Sequence, residues 1–208
     1  MSTSMAAQGS NGSSARSKLP SMIVFDLDDC LWTPEMHELP GMPEIPVHGD
    51  LDDNGTQGVV GLQVMRYQDT VKLYPGARKV LHELATNPKY KDITLATASS
   101  SLEPSYSYAC LDGIEILPGV VMGDMMSHNQ IGRTGRLSPD KVDHFRLLHE
   151  ESGIPYTEML FFDDCNWGDH CARVSERYGV VGQQTPYGLQ WEEFLQGMSK
   201  FEKQAASK

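Results

Sequence analysis

The chain has 208 residues, of which 39% are hydrophobic and 22% charged, and its formal net charge is -11. The composition is typical of a soluble globular protein. So acidic a chain argues against a nucleic-acid partner, because nucleic-acid binding depends on Lys and Arg, and it argues against an anionic membrane surface. The sequence has no apolar run of the roughly 20 residues that cross a bilayer, so no membrane partner is expected.

The N-terminal residues 1–19 are rich in Ser, Gly and Ala and contain no acidic residue. This composition predicts a disordered tail, and it is also compatible with an organelle transit peptide. No secretory signal precedes the four cysteines, and their spacing forms no paired framework. We therefore expect reduced thiols and a cytoplasmic protein.

The first structural elements are a buried strand and an insertion. The apolar run at 22–25 predicts the strand. Residues 33–72 then contain four prolines, the turn signal Asp53-Asn54-Gly55 and a strand-like run at 59–65. This pattern predicts a small β-hairpin flap after the first strand, which we expect to contribute to substrate selection.

The rest of the chain alternates between strand and helix patterns. Further strands are predicted at 93–98, 119–122, 159–162 and 180–181, and helices after Pro75, after Pro104, from Ser138, over about 168–178 and over 189–201. Continuous apolar strands that alternate with helices indicate an α/β fold, here a Rossmann-like three-layer sandwich around a central parallel sheet. We expect a single domain over 20–208, with the 33–72 flap and no separate cap domain.

Polar residues follow three of the predicted strands. Asp26 and Asp28 follow the first strand, Ser99 follows the second, and Asp163 and Asp164 follow the strand at 159–162. Ligands of such sheets bind at the carboxyl ends of the strands. Two acidic clusters at one edge form the hard oxygen site that Mg²⁺ prefers. The sequence therefore predicts a magnesium site, which would let the crowded carboxylates coexist.

Lys141 breaks a local rule, because a cation near the start of a helix opposes the helix dipole. We expect it near the third residue of the helix for which Ser138 is the predicted N-cap. From there it could balance the carboxylates and hold a phosphate oxygen. Thr97 is the alternative to Ser99 if the strand ends two residues earlier.

These residues, in this order, resemble the four motifs of the haloacid dehalogenase superfamily. The resemblance narrows to the magnesium-dependent phosphatase family over roughly residues 22–182, on the stretches FDLDDCLW, LYPGARKVL, ATASS and DKVDHFRLLHEESGIPYTEMLFFDD. One position departs from the pattern: Cys30 stands where superfamily members usually carry Thr or Val.

The resemblance implies a Mg²⁺-dependent phosphoric monoester hydrolase and a role for each motif residue. Asp26 would attack phosphorus and form an aspartyl-phosphate. Asp28 would protonate the leaving oxygen and then activate water. Ser99 and Lys141 would bind the phosphoryl oxygens.

The resemblance also implies the metal ligands and the substrate class. A carboxylate oxygen of Asp26, the backbone carbonyl of Asp28 and the carboxylate of Asp164 would hold Mg²⁺, and Asp163 would orient water molecules on the metal. The implied substrates are phosphotyrosine-like groups, as in a phosphoprotein, or small sugar phosphates.

Four other hypotheses remain open at this point. A receiver-like phosphoacceptor module also combines carboxylates, Ser or Thr and Lys around Mg²⁺, but its acceptor Asp comes later in the chain. A metal-binding pseudoenzyme is a second possibility. A zinc site of His170 with Cys165 and Cys171 is disfavoured by the spacing, and His170 is expected at the surface. Finally, Cys30 and Cys165 could form a redox-sensitive pair beside the metal.

Overall fold

The computed structural model describes residues 18–207, so the predicted tail lies almost entirely outside the described residues. The strands are β1 (Met22–Phe25), β2 (Trp32–Thr33), β3 (Pro43–Asp50), β4 (Gln57–Val64), β5 (Thr70–Leu73), β6 (Thr94–Ser99), β7 (Glu115–Leu117), β8 (Val120–Val121), β9 (Met126–Ile131), β10 (Met159–Asp163) and β11 (Val181–Gln184). The helices are α1 (Pro75–Thr86), α2 (Pro104–Gly113), α3 (Met122–Met125), α4 (Lys141–Ser152), α5 (His170–Tyr178) and α6 (Trp191–Ala206). Over 18–207, no helix has both the length and the apolar character to cross a bilayer.

The central sheet has five parallel strands in the order β11-β10-β1-β6-β9. Alternate residues of β1 point to opposite faces. Ile23 and Phe25 belong to the core that includes residues of α1 and α6, whereas Met22 and Val24 pack in the core that includes residues of α4 and α5. Both faces of the sheet are therefore covered by helices, which confirms the predicted three-layer α/β fold.

The insertion after β1 is larger than the predicted hairpin. The strands β3 and β4 do form a hairpin, but β2 and β5 extend it to an antiparallel sheet in the order β2-β5-β4-β3. Pro43 and Pro46 are tolerated because β3 is an edge strand. Leu62, Val64 and Val71 of this sheet join the core that contains Ile23. The insertion thus shares the core of the main domain and forms no separate cap domain over the described residues.

The strand predicted at 119–122 is not a strand of the central sheet. Val120 and Val121 form β8, which pairs with β7 in a separate two-stranded hairpin. The fifth strand of the central sheet is β9, whose sequence MSHNQI lacks a strand-like apolar pattern. Its polar side chains find partners instead: Thr97 donates to Asn129 over 2.9 Å, and Gln130 donates to Glu151 over 2.7 Å.

Helix α4 begins at Lys141, two residues later than predicted, because its N-cap is Asp140 and not Ser138. The side chain of Asp140 accepts a hydrogen bond from the backbone N–H of Val142 over 3.0 Å and so acts as the N-cap. Ser138 donates to Asp143 over 2.6 Å from the preceding turn. Lys141 is therefore the first helical residue rather than the third.

Candidate active site

The carboxyl ends of β1, β6 and β10 meet at a cavity of about 350 Å³. The predicted site residues that line it are Asp26, Asp28, Ser99, Lys141 and Asp164. Asp163, the sixth predicted residue, is fully buried beside them. Parallel strands bring their carboxyl ends to one edge, which is why residues so distant in sequence converge.

Three carboxylates form a compact oxygen cluster. Oxygen atoms of Asp26, Asp163 and Asp164 all lie within 4.8 Å of one another, and all three residues are buried. Oδ2 of Asp163 is buried without a hydrogen-bond partner among the described residues. Burial, together with the neighbouring carboxylate of Asp26, raises the pKa of Asp164 to about 8. Such a cluster is costly without cations, so the donor set, in which Oδ2 of Asp163 accepts no hydrogen bond from the described residues, fits a hard divalent ion such as Mg²⁺.

Lys141 supplies the positive charge at the bottom of the cavity. Its Nζ donates to Oδ1 of Asp26 over 2.6 Å and to the carbonyl of Ala98 over 2.6 Å, and it lies 3.4 Å from Oδ2 of Asp163. Burial acts to lower the pKa of Lys141, but the carboxylates of Asp26 and Asp163 outweigh it and raise that pKa. The ammonium therefore stays charged and fixes one oxygen of Asp26.

Asp28 also lines the cavity, but its side chain is held by Trp32 rather than by Lys141. Its Oδ1 accepts a hydrogen bond from the indole N–H of Trp32 over 2.7 Å. The ring of Trp32 is fully buried and therefore holds the carboxyl in one orientation. Burial raises the pKa of Asp28 to about 7, against the opposing effect of the Trp32 hydrogen bond. The side chain of Asp28 is not part of the carboxylate cluster formed by Asp26, Asp163 and Asp164.

Ser99 is the last residue of β6 and lies at the cavity wall with 1% of its surface exposed. The alternative, Thr97, is fully buried and donates to Asn129, so it does not line the cavity. The backbone carbonyl of Ser99 accepts from the N–H of Gly132 over 2.8 Å and lies 3.1 Å from Nε2 of His144. His144 thus ties helix α4 to the loop that carries Ser99.

The buried His144 predicts a pH dependence of stability. Burial and the nearby Lys141 ammonium lower its pKa to about 4 from 6.5. The unfolded chain therefore takes up this proton as the pH falls through 6.5, while the folded chain resists until about pH 4, so stability is lost across that window. We expect the free energy of unfolding to fall by roughly 2 kcal/mol more in the wild type than in His144→Gln between pH 7.5 and 4.5.

Urea unfolding of the wild type and of His144→Gln, at both pH values and with a chelator present, measures the free energy of unfolding. The other titrating groups are the same in the two proteins, so their contributions cancel in the difference. Parallel curves over the two pH values would contradict the assignment.

The mouth of the cavity is lined by residues that the sequence did not single out for this site. Glu35 lies there with Oε1 accepting from the indole N–H of Trp167 over 3.0 Å and Oε2 lying 3.0 Å from Nδ1 of His37. Arg133 also lines the cavity. The spacing of these residues in the sequence does not indicate that they lie together, because they come from three segments on different parts of the chain.

His170 is not the surface residue that the sequence suggested. Only 8% of it is exposed, it lines the cavity, and its Nδ1 is buried without a partner among the described residues. The thiol of Cys171 interacts with that of Cys165, and this contact together with burial raises its pKa. No group of ligand atoms over 18–207 joins His170 to these thiols, so the zinc hypothesis gains no support.

The hypothesis of a redox-sensitive pair of Cys30 and Cys165 also gains no support, because the thiol of Cys30 is not in a reactive environment. Cys30 is fully buried, donates to the carbonyl of Phe162 over 3.6 Å and accepts from Thr185 over 3.4 Å. Burial and the nearby carboxylates raise the pKa of its thiol well above the ordinary value. A protonated thiol is a poor nucleophile, so Cys30 acts here as a packing residue.

Comparison with known proteins agrees with this geometry. The Acid Phosphatase family model matches residues 18–204. The chain is 29% identical over 165 residues to the HAD-like hydrolase superfamily protein P8B7.31 of Schizosaccharomyces pombe, covering 79% of this chain and 84% of that protein. It is also 29% identical over 188 residues to Magnesium-dependent phosphatase 1 of Homo sapiens, covering 89% of each.

A solved structure shares the fold. The N-terminal part of protein BF1531 from Bacteroides fragilis, which contains a phosphatase domain complexed with Mg, superposes with a TM-score of 0.52 at 18% identity. The match covers 88% of this chain and 40% of that chain. The family model and the two curated relatives confirm the resemblance drawn from the sequence motifs and the enzyme class that it implied. The chain belongs to the acid phosphatase family, among the haloacid dehalogenase-like phosphatases related to the magnesium-dependent enzymes.

Proposed function

We propose that this protein is a Mg²⁺-dependent phosphomonoesterase in which Asp26 is the nucleophile. The observation that carries the proposal is the cluster of Asp26, Asp163 and Asp164 oxygens within 4.8 Å, at the end of a cavity and in contact with Lys141. Uncatalysed phosphate-monoester hydrolysis is among the slowest reactions known, and charge neutralisation with in-line positioning is the main means of accelerating it.

The metal would be held by side chains of the cluster, Asp26 and Asp164, and by the backbone carbonyl of Asp28. Asp163, whose Oδ2 lies beside them and accepts no hydrogen bond from the described residues, would orient water molecules on the ion. When bound, Mg²⁺ neutralises the carboxylates and the phosphoryl oxygens, which lets an anionic nucleophile approach an anionic substrate.

Asp26 is arranged for attack. Lys141 binds its Oδ1, which leaves Oδ2 outside that ion pair for the attack on phosphorus. The attack forms an aspartyl-phosphate, a mixed anhydride that splits one difficult substitution into two easier steps. Lys141 and Ser99 lie at the same end of the cavity and would bind the phosphoryl oxygens during both steps.

Asp28 is arranged for proton transfer. A carboxyl with a pKa of about 7 is protonated often enough near neutral pH to donate to the leaving oxygen, and it can then accept a proton from the attacking water. The Trp32 indole N–H keeps it aimed at the cavity during this exchange. This second carboxyl distinguishes the proposed phosphatase from a receiver module, in which a long-lived aspartyl-phosphate is the output.

The substrates we propose are phosphotyrosine-like groups or small sugar phosphates. A cavity of about 350 Å³ accommodates a phosphoryl group with a leaving group of modest size. Residues of the flap region, Glu35 and His37, lie at its mouth, which supports a role for that region in substrate selection.

Removal of the metal is the direct test of the cofactor. Hydrolysis of p-nitrophenyl phosphate is expected to fall by roughly 100-fold or more in EDTA and to return with excess Mg²⁺. Ca²⁺ should restore little activity, because its larger and looser coordination shell disturbs the in-line geometry. Calorimetric titration of the apoprotein should show Mg²⁺ binding that weakens in Asp164→Asn. Full activity after rigorous chelation would overturn the metal-dependent mechanism.

A further inference from the structure

Arg133 is the cationic side chain at the cavity mouth, in the loop between β9 and α4. Its Nε and Nη2 donate to the backbone carbonyl of Ser100 over 3.0 and 2.7 Å. Two bonds from one guanidinium to one oxygen fix the plane of the group. Its Nη1 makes no hydrogen bond to the described part of the chain, so this fixed cation keeps donors for another partner.

The place where Arg133 is tethered is informative. Ser100 directly follows Ser99, so the guanidinium is attached to the same loop that lines the phosphoryl end of the cavity. Lys141, the cation at the bottom, is already bound to Asp26 and to Ala98. Arg133 is thus a second positive group that lines the cavity, and it is exposed at the mouth whereas Lys141 is buried at the bottom.

The surroundings of Arg133 do not neutralise it. The carboxylate of Glu35 at the mouth accepts from Trp167 and lies against His37, and no ion pair within 18–207 involves Arg133. An exposed Leu102 and Trp167 line the same cavity. The mouth therefore combines apolar surface with one available guanidinium.

We propose that Arg133 is a specificity-determining residue, which binds a second anionic group on the leaving group of the substrate. The preferred substrates are phosphomonoesters that also carry a carboxylate or a second phosphate. This inference rests on the proposed phosphatase function and narrows its substrate class. The alternative role is a tether that only holds the 132–140 loop against Ser100, and it predicts an equal loss for every substrate.

Matched substrates separate these roles. The pair 4-carboxyphenyl phosphate and 4-carbamoylphenyl phosphate has nearly the same shape but differs by one negative charge, and the 3-substituted isomers provide a second geometry. Phenylene bisphosphate is included as the substrate whose leaving group carries a second phosphate in place of a carboxylate. We expect the wild type to favour the anionic member of at least one pair, or the bisphosphate, by about tenfold in kcat/KM, the effect of one charge-assisted hydrogen bond.

In Arg133→Gln the preference should fall to near unity. Arg136→Gln is the matched control, because Arg136 lies in the same loop and is likewise exposed, but it pairs with Glu150 and does not line the cavity; it should keep the wild-type preference. The preference of the wild type should also decrease as salt is added, since salt screens an exposed charge pair. This measurement needs no variant and remains available if Arg133→Gln does not fold.

Three results would overturn the inference. They are no preference in the wild type, a preference that survives Arg133→Gln or is insensitive to salt, and an equal loss by Arg133→Gln on charged and neutral substrates. In each of these cases the carbamoyl ester is still hydrolysed, so the phosphatase function stands. Failure of the wild type with Mg²⁺ to hydrolyse any of these esters would instead overturn the proposed function and the inference together.

Discussion

Asp26→Asn is expected to reduce kcat for p-nitrophenyl phosphate by roughly 10⁴-fold or more, the scale seen when a nucleophile is removed. An amide oxygen is a poor nucleophile, and the change also removes a negative charge from the metal cluster. It leaves the buried Lys141 with a neutral partner in place of a carboxylate at 2.6 Å. The loss should therefore appear in kcat under saturating substrate and excess Mg²⁺.

The matched control is Asp29→Asn. Asp29 lies three residues away in the same loop, its backbone φ of 54° is one that Asn tolerates, and its side chain contacts Tyr74 rather than the carboxylate cluster. This variant should stay within a few fold of the wild type. An Asp26→Asn protein with native circular dichroism and more than one hundredth of wild-type kcat would remove Asp26 from the nucleophile role.

Asp28→Asn is expected to lower kcat by roughly 10²- to 10⁴-fold, the usual contribution of a general acid–base. The amide oxygen of Asn can still accept from the Trp32 indole, which in the native protein is a 2.7 Å bond, so the loop should keep its shape. Mg²⁺ affinity should change little, because the proposed ligand at this position is the backbone carbonyl.

The kinetics should reveal which step is lost. p-Nitrophenolate leaves without much protonation, so phosphorylation of Asp26 can continue while hydrolysis of the intermediate is blocked. Stopped-flow absorbance should show a burst of nitrophenolate that approaches one equivalent of enzyme, followed by slow turnover. Near wild-type kcat in Asp28→Asn would show that its carboxyl does not transfer protons.

The chemistry-bearing residues are predictable because strand ends carry a strong local signal. Apolar runs followed at once by carboxylates mark Asp26, Asp28, Asp163 and Asp164 in the amino-acid sequence. The rule that parallel strands share an active edge then brings them together. The roles of these residues stay proposals, but their convergence on one cavity is a property of the fold.

The secondary-structure predictions were wrong where contacts with distant residues, rather than the local sequence pattern, determine the element. The strand β9 is polar because Asn129 and Gln130 find partners on β6 and α4, so no apolar alternation marks it. The strand β3 contains two prolines, which its edge position permits. The start of α4 depends on whether Ser138 or Asp140 caps the helix, and both are good caps.

The cavity mouth is the least predictable part. Glu35, Arg133 and Trp167 lie on separate loops, and their proximity follows from how the loops fold over the sheet edge rather than from any spacing. The sequence marks His170 only as a zinc candidate beside two cysteines. A polar residue in a loop has no sequence pattern that reports whether it faces solvent or a cavity.

The covalent state of Asp26 during turnover tests the central claim most directly. Enzyme and Asp28→Asn variant are mixed with substrate and Mg²⁺, quenched in acid within the burst, reduced with borohydride and digested for peptide mass spectrometry. An aspartyl-phosphate is reduced to homoserine, so homoserine is predicted at position 26, more abundant in Asp28→Asn than in the wild type and absent without substrate. Homoserine at position 28, 163 or 164 instead, or none at any position while turnover continues, would contradict the account.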